Sequence, residues 1–268
     1  MNLSTTTIRR LLFLIVLLAV ALPLMIRVNL TQSASPETKQ AFENVDTLQE
    51  GSIILVSFDF EASSLPEVKP LAEALLNHAF RKNLRVLGVS LFAEGTALGE
   101  QIMRRVAKAY NKVYGADYVY LGFRPQYTAA ILGMGESIAG EFPLDYFGTP
   151  VENLPLFAHL TNYDQISLVV SIADGSMPTY WAEYAVAPYG ARFETLLTAT
   201  MATAYYPYLS SGQFVGLVAG LKGAAEYELL LGKPGGGKRG LLALSVSQVV
   251  MILIIVAGNI ADYRRRRE

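Results

Sequence analysis

The sequence predicts an α/β domain, three-layered and doubly wound around a mainly parallel sheet, carried between two transmembrane helices. Three observations predict it. Apolar strand-like runs alternate with helix-period segments through the middle of the chain, two long apolar runs bracket that middle, and arginines stand on the outer side of each bracket. Strands covered on both faces read as continuous apolar runs, and repeated βα units close into a parallel sheet between helical layers.

Taken in order, residues 53–60 (IILVSFDF) read as a buried strand, followed by Val68, Leu71, Ala72, Leu75, Leu76 and Ala79 at helical spacing and by a second strand at 84–91. That succession is a βαβ unit with a right-handed crossover. His78 falls on the polar face of its helix beside Asn77 and Arg81. Leu98, Ile102, Val106, Ala109 and Val113 mark a second helix, residues 117–121 (DYVYL) a third strand, and 128–138 a third helix. Residues 141–155 are rich in Pro, Gly and Asp and predict an irregular excursion. A fourth strand spans 166–173 (ISLVVSIA), closed by Asp174-Gly175; a short helix at 180–187 and a fifth strand at 193–199 follow. Residues 213–231 predict a long amphipathic helix on which Gly216, Gly220 and Gly223 share a face.

The brackets predict membrane spans. A bilayer core about 30 Å thick needs about 20 apolar residues in a helix. Residues 241–260 meet that length, with Tyr263 at the expected interface. The first run, 11–26, is shorter and contains Pro23. It has a rival reading as a cleavable signal peptide, with Ala19-Val20-Ala21 as the cut site. Positively charged flanks stay cytoplasmic, so Arg9 and Arg10 before the first span and Arg264, Arg265, Arg266 and Arg267 after the second place both ends inside. The expected order is a cytoplasmic 1–10, a span at 11–30, a polar stalk at 31–50, an extracytoplasmic domain at 51–231, a Gly-rich tether at 232–240, a span at 241–262 and a basic tail at 263–268. Gln248 lies mid-span, where hydrocarbon offers an amide no partner, and predicts a helix–helix contact with another membrane subunit or a second copy. A backbone carbonyl freed by Pro23 is the intramolecular alternative.

Residues 30–231 hold 12 Lys and Arg against 21 Asp and Glu, a formal charge of −9. An acidic domain of this kind excludes nucleic acid as a partner and leaves the lipid bilayer and membrane proteins. The chain has no cysteine, so neither disulfides nor thiolate zinc sites arise. Two histidines, His78 and His159, are too few for a histidine-rich metal site. No cofactor is expected.

In open parallel sheets ligands bind beyond the carboxyl ends of the strands. Those ends carry Asp59, Ser90, Asp174 and Thr200, the candidate ligand-binding residues, although Asp and Ser there also cap helices and close turns. Residues 232–238 (GKPGGGK) match the start of a phosphate-binding loop, but Arg239 replaces the magnesium-holding Ser or Thr and a membrane span follows. Residues 135–139 (GESIA) fall one glycine short of a nucleophile elbow at Ser137, with Asp145 and His159 following in hydrolase order. An elbow needs a strand ending at the serine, and the segment around Ser137 reads as helical, so no catalytic residue is assigned. Tyrosines cluster at Tyr110, Tyr114, Tyr118 and Tyr120 and again at Tyr205, Tyr206 and Tyr208, as core or as an interface.

At residues 114–125 (YGADYVYLGFRP) and 211–228 (SGQFVGLVAGLKGAAEYE) the chain resembles an uncharacterised prokaryotic family of two-span membrane proteins with a Rossmann-like exported domain. The resemblance implies architecture and transfers no catalytic residue. The expected function is a membrane-anchored extracytoplasmic binding or scaffold module within a membrane assembly. The alternative is a membrane-bound hydrolase using Ser137 or the strand-end carboxylates Asp59 and Asp174.

Overall fold

The computed structural model describes residues 4–25 and 33–267. The end of the first expected span, Ile26 onward, and the first two stalk residues lie outside the described residues. Helices α1 (Thr5–Met25) and α2 (Pro36–Asp46) precede strand β1 (Ile53–Asp59). Helix α3 (Leu65–Arg81) crosses to β2 (Arg85–Ser90) and α4 (Gly95–Ala109) to β3 (Tyr118–Phe123). Helices α5 (Tyr127–Glu136) and α6 (Ile138–Glu141) and an irregular stretch lead to β4 (Ile166–Ala173). Helix α7 (Met177–Trp181) then runs through a π-helical turn, Ala182–Val186, into α8 (Ala187–Tyr189) and on to β5 (Phe193–Leu197). Helix α9 (Ala202–Ser210), strand β6 (Gly216–Ala219), α10 (Gly220–Leu231) and α11 (Gly236–Arg265) complete the order.

The strands form one sheet in the order β3-β2-β1-β4-β5-β6, each pair of neighbours parallel. This is the doubly wound, Rossmann-like arrangement, with its topological switch point between β1 and β4. Burial accounts for it. All seven residues of β1 are buried, and strict alternation sends Ile54, Val56 and Phe58 into a core with α2, α3, α4 and α10. Ile53 and Leu55 enter a second core with α5, α6, α7 and α9 and with Phe142, Val151, Leu156 and Phe157 of the irregular stretch. Two covered faces leave no room for an antiparallel, one-sided sheet.

Four expectations change. Most of the stalk is structured: Pro36–Asp46 is a helix started by Ser35 and Pro36, and its Thr38, Ala41 and Val45 are buried. Small and apolar residues at helical spacing gave it a face to bury. The start of the expected 213–231 helix is instead β6, which extends the sheet beside β5. Four residues are too few to show strand alternation. The tether is folded as well, its Gly235 and Gly237 N–H groups donating to the Glu228 carboxylate at 3.0 and 2.7 Å and Lys233 Nζ bonding Asn77 Oδ1 at 2.6 Å. The loop that resembles a phosphate cradle thus holds an anion of its own chain. His78 is fully buried rather than on a polar face, because α2 packs over it: Nε2 lies 3.1 Å from Asp46 Oδ1 and Nδ1 2.9 Å from the Tyr227 hydroxyl.

Residues Ser33–Gly237 form one compact unit, and the terminal segments another. In the latter, Thr6–Met25 and Gly236–Arg264 are long and apolar enough to cross a membrane. Their large apolar residues are exposed around the helix, as with Phe13, Leu17, Ile252 and Leu253, the surface that lipid would cover. Arg9, Arg10, Arg264, Arg266 and Arg267 are exposed at the outer ends, Arg266 pairing with Asp262 at 2.8 Å and Arg267 lying 4.4 Å from the Tyr263 ring centre. Ser245 and Ser247 bond carbonyls of their own helix. Gln248 is exposed.

Candidate functional site

Strands β1 and β4 meet in register, Ser57 opposite Ser171 and Asp59 opposite Ala173. Period-two alternation puts Ser57, Asp59 and Ser171 on the side of the second core, where α7 brings Trp181, the single tryptophan of the chain. Asp59 is 1% exposed, and its carboxylate accepts four hydrogen bonds. Ser57 Oγ (2.6 Å) and Leu91 N (3.1 Å) donate to Oδ1; Ser171 Oγ (2.7 Å) and Trp181 Nε1 (3.1 Å) donate to Oδ2. Burial pushes the Asp59 carboxyl above the usual range, and these donors act against that rise. Thr195 on β5 continues the network, its hydroxyl donating to the Ser171 carbonyl at 3.1 Å.

Above Asp59, at the carboxyl ends of β1 and β4, lies a cleft of about 390 Å³. Asp59, Glu61, Ser64, Asp174 and Ser176 supply its polar lining, and Phe92, Tyr127, Met177 and Tyr180 its apolar walls. Asp174 ties the β1–α3 loop: its Oδ2 accepts from Glu61 N at 2.8 Å and from the Ser64 hydroxyl at 2.5 Å. Glu94, ahead of α4, accepts from Ala62 N at 2.9 Å. The loop is therefore fixed from two sides. Gly95 permits the close approach that brings Glu94 there, since a Cβ at that position would stand 2.1 Å from the Phe58 carbonyl oxygen.

Two of the four strand-end candidates thus come together at the cleft, Asp59 at its base and Asp174 in its wall. The other two lie elsewhere. Ser90 is buried and donates to the Phe58 and Phe92 carbonyls, 2.7 and 2.5 Å away, which fixes the end of β2. Thr200 is exposed and pairs with Thr198 at 3.3 Å. Ser137 caps α6, its Oγ accepting from Gly140 N at 3.0 Å, with no strand ending at it. Asp145 closes its own loop by accepting from the Tyr114 hydroxyl and from the N–H groups of Phe147 and Thr149, and His159 is exposed on a 3₁₀ turn. The elbow-like trio has no supporting context. Sequence reasoning missed Trp181, Tyr127 and Tyr180. The paired Ser57 and Ser171, polar residues at like positions in two apolar strands, were the available signal.

The strand order is that of dinucleotide-binding domains, but the site does not fit such a cofactor. The β1–α3 turn, residues 59–65 (DFEASSL), has no glycine to admit a pyrophosphate. Its Glu61 and Ala62 N–H groups, the kind a phosphate would use, are occupied by protein carboxylates. No group of three or more His, Asp or Glu among the described residues is placed to hold a metal ion. No protein-family model, curated protein or solved structure matches the chain, and what is shown is a membrane-type chain with a Rossmann-like domain and a buried Ser171–Asp59–Trp181 cluster under its switch-point cleft.

Proposed function

We propose that the protein is a membrane-anchored enzyme of the extracytoplasmic side, a hydrolase whose site is the β1–β4 cleft. The observation that carries this reading is the hydrogen-bonded Asp59 cluster beneath that cleft. Apolar residues across β1 and β4 would fill the same space without burying a charge, and a buried acid with a raised pKa at a switch point marks a functional site. Asp174 is the acid–base group, because it lines the cleft and its Oδ1 has no hydrogen-bond partner among the described residues. As carboxylate it takes a proton from the attacking water and returns it to the leaving group, so that water adds across the cleaved bond. Asp59 is a positioning residue. It fixes β1, β4 and α7 beneath the ligand. The arginines outside both spans support the extracytoplasmic assignment, and the phrases at 114–125 and 211–228 support membership of the two-span family they resemble.

A second reading, a binding module without turnover, is favoured by one fact: all four acceptor positions of Asp59 are filled by protein donors. The full chain, purified in detergent, separates the two against a panel of ester, amide and glycoside substrates. Asp174→Asn should lower kcat by about 10²-fold or more with an unchanged melting temperature. Hydrolysis that survives Asp174→Asn overturns the assignment. Binding without hydrolysis, lost in the same variant, establishes the module instead.

A further inference from the structure

We propose that the cleft takes an organic cation, an alkylammonium or quaternary ammonium group. This rests on the reading of the cleft as the ligand site. Its walls carry aromatic faces: the Tyr127 and Tyr180 rings meet at 4.4 Å between centres and 51°, forming a corner, and Tyr184 stacks behind Tyr180 at 6.5 Å and 10°. A cation within about 6 Å of such a ring centre is attracted by the negative face of the π-system. Phe92 adds a further exposed ring, with 36% of its surface accessible.

The charges agree with the rings. Glu61 and Asp174 line the cleft, Asp59 lies at its base, and no Lys, Arg or His stands among the lining residues. The Glu61 and Ala62 N–H groups of the β1–α3 turn are spent on Asp174 and Glu94, whereas Asp174 Oδ1 remains without a partner among the described residues. A phosphate or carboxylate would face the carboxylates of Glu61 and Asp174 with no basic side chain among the lining residues to offset them. A neutral polyol would find acceptors but gain nothing from the field, and the surrounding domain adds to that field with its charge of −9 over residues 30–231. The volume, about 390 Å³, lies at the small end of ligand pockets and suits a compact head group.

Trp181 supplies the reporter. It is the single tryptophan, fully buried, adjacent in sequence to Tyr180 and bonded to Asp59, so a ligand that engages Tyr180 or Asp59 should change its fluorescence. The full chain in a maltoside detergent is titrated with choline, with the neutral isostere 3,3-dimethylbutan-1-ol, with glucose and with inorganic phosphate. Choline should give a saturable change, and the isostere should bind about tenfold more weakly or worse. Tyr180→Ala and Asp174→Asn should each weaken choline by about tenfold, while Tyr180→Phe, which keeps the ring, retains it. Equal affinity for the neutral isostere, a saturable response to phosphate, or no saturable choline response overturns the cation. If glucose or the isostere binds in an Asp174-dependent way while choline does not, the cleft stands as the ligand site and the cation alone is refuted. If no response depends on Asp174 or Tyr180, both readings fall.

Discussion

Two buried carboxyls show how differently one chain treats the same group. Asp59 is surrounded by four donors; Glu194 on β5, equally buried, receives one, Asn44 Nδ2 on Oε2 at 3.3 Å, and its Oε1 has no partner among the described residues. Burial pushes the Glu194 carboxyl from 4.5 up to about 8, with Asn44 and the nearby Arg192 charge acting the other way. Between those two values the folded chain binds a proton that the unfolded chain has lost. The stability that the neutral acid retains is thus full below pH 4.5 and declines as pH rises toward 8, by up to about 1.4 kcal/mol per pH unit. Glu194→Gln keeps the Asn44 bond and removes the ionisation. Thermal melts should therefore show the variant more stable by about 2–4 kcal/mol at pH 8.5 and equal to the parent at pH 4. Parallel pH profiles for the two proteins would mean that Glu194 is not held neutral.

At the scale of elements, legibility in the sequence followed length and continuity of burial. Strands β1 to β5 were readable because their runs are largely apolar on both faces, as with Ile54, Leu55, Val56 and Phe58 of β1 and Leu168, Val169, Val170 and Ile172 of β4, a pattern a surface segment does not produce. The short β6 was not, since GLVA at 216–219 reads as one turn of the amphipathic run that α10 continues. Helix α2 hid behind its composition: eleven residues, mostly polar, with the buried face reduced to Thr38, Ala41 and Val45. Of the site, the strand-end rule located Asp59 and Asp174. Tyr127 and Tyr180 reach the cleft, and Trp181 reaches Asp59 beneath it, from helices whose placement depends on tertiary packing, which periodicity does not encode. The docking of α2 on β6 makes a direct test. A Cβ on Gly216 would stand 2.7 Å from Glu194 Oε2 and 2.9 Å from Ala41 Cα and Cβ, distances that packed side chains do not tolerate. Gly216→Ala should cost about 1–3 kcal/mol and expose residues 33–50 to limited proteolysis while the parent resists there. Equal cleavage of both proteins in this segment would restore the free stalk.

At the scale of the whole molecule, the two apolar helices and the domain between them are one argument about sidedness. Removing a folded, charged domain of this size to the far side of a bilayer is irreversible in practice, so orientation is decided by the short flanks, where Lys and Arg resist translocation. Here the outer flanks hold the excess, two arginines against Arg27 at the first span and four against Lys233, Lys238 and Arg239 at the second. Arg9 and Arg10 precede α1's apolar stretch, and Arg264 to Arg267 follow that of α11, so both helices call for the same cytoplasmic side. Under the proposed orientation, with both ends inside, two spans would leave residues 33–237 outside, and the acidic domain would contribute little to the decision because Asp and Glu count weakly in this rule. Protease added to intact cells should cut within the domain while epitope tags at both termini stay protected, and permeabilised cells should lose the tags as well. Digestion of either tag in intact cells would refute the two-span arrangement. Reversing the charges Arg264 to Arg267 to Glu should weaken the C-terminal retention and yield a fraction of chains with an accessible C-terminal tag; if the tag remains fully protected, the basic tail does not set the orientation of α11, and the N-terminal arginines alone do so.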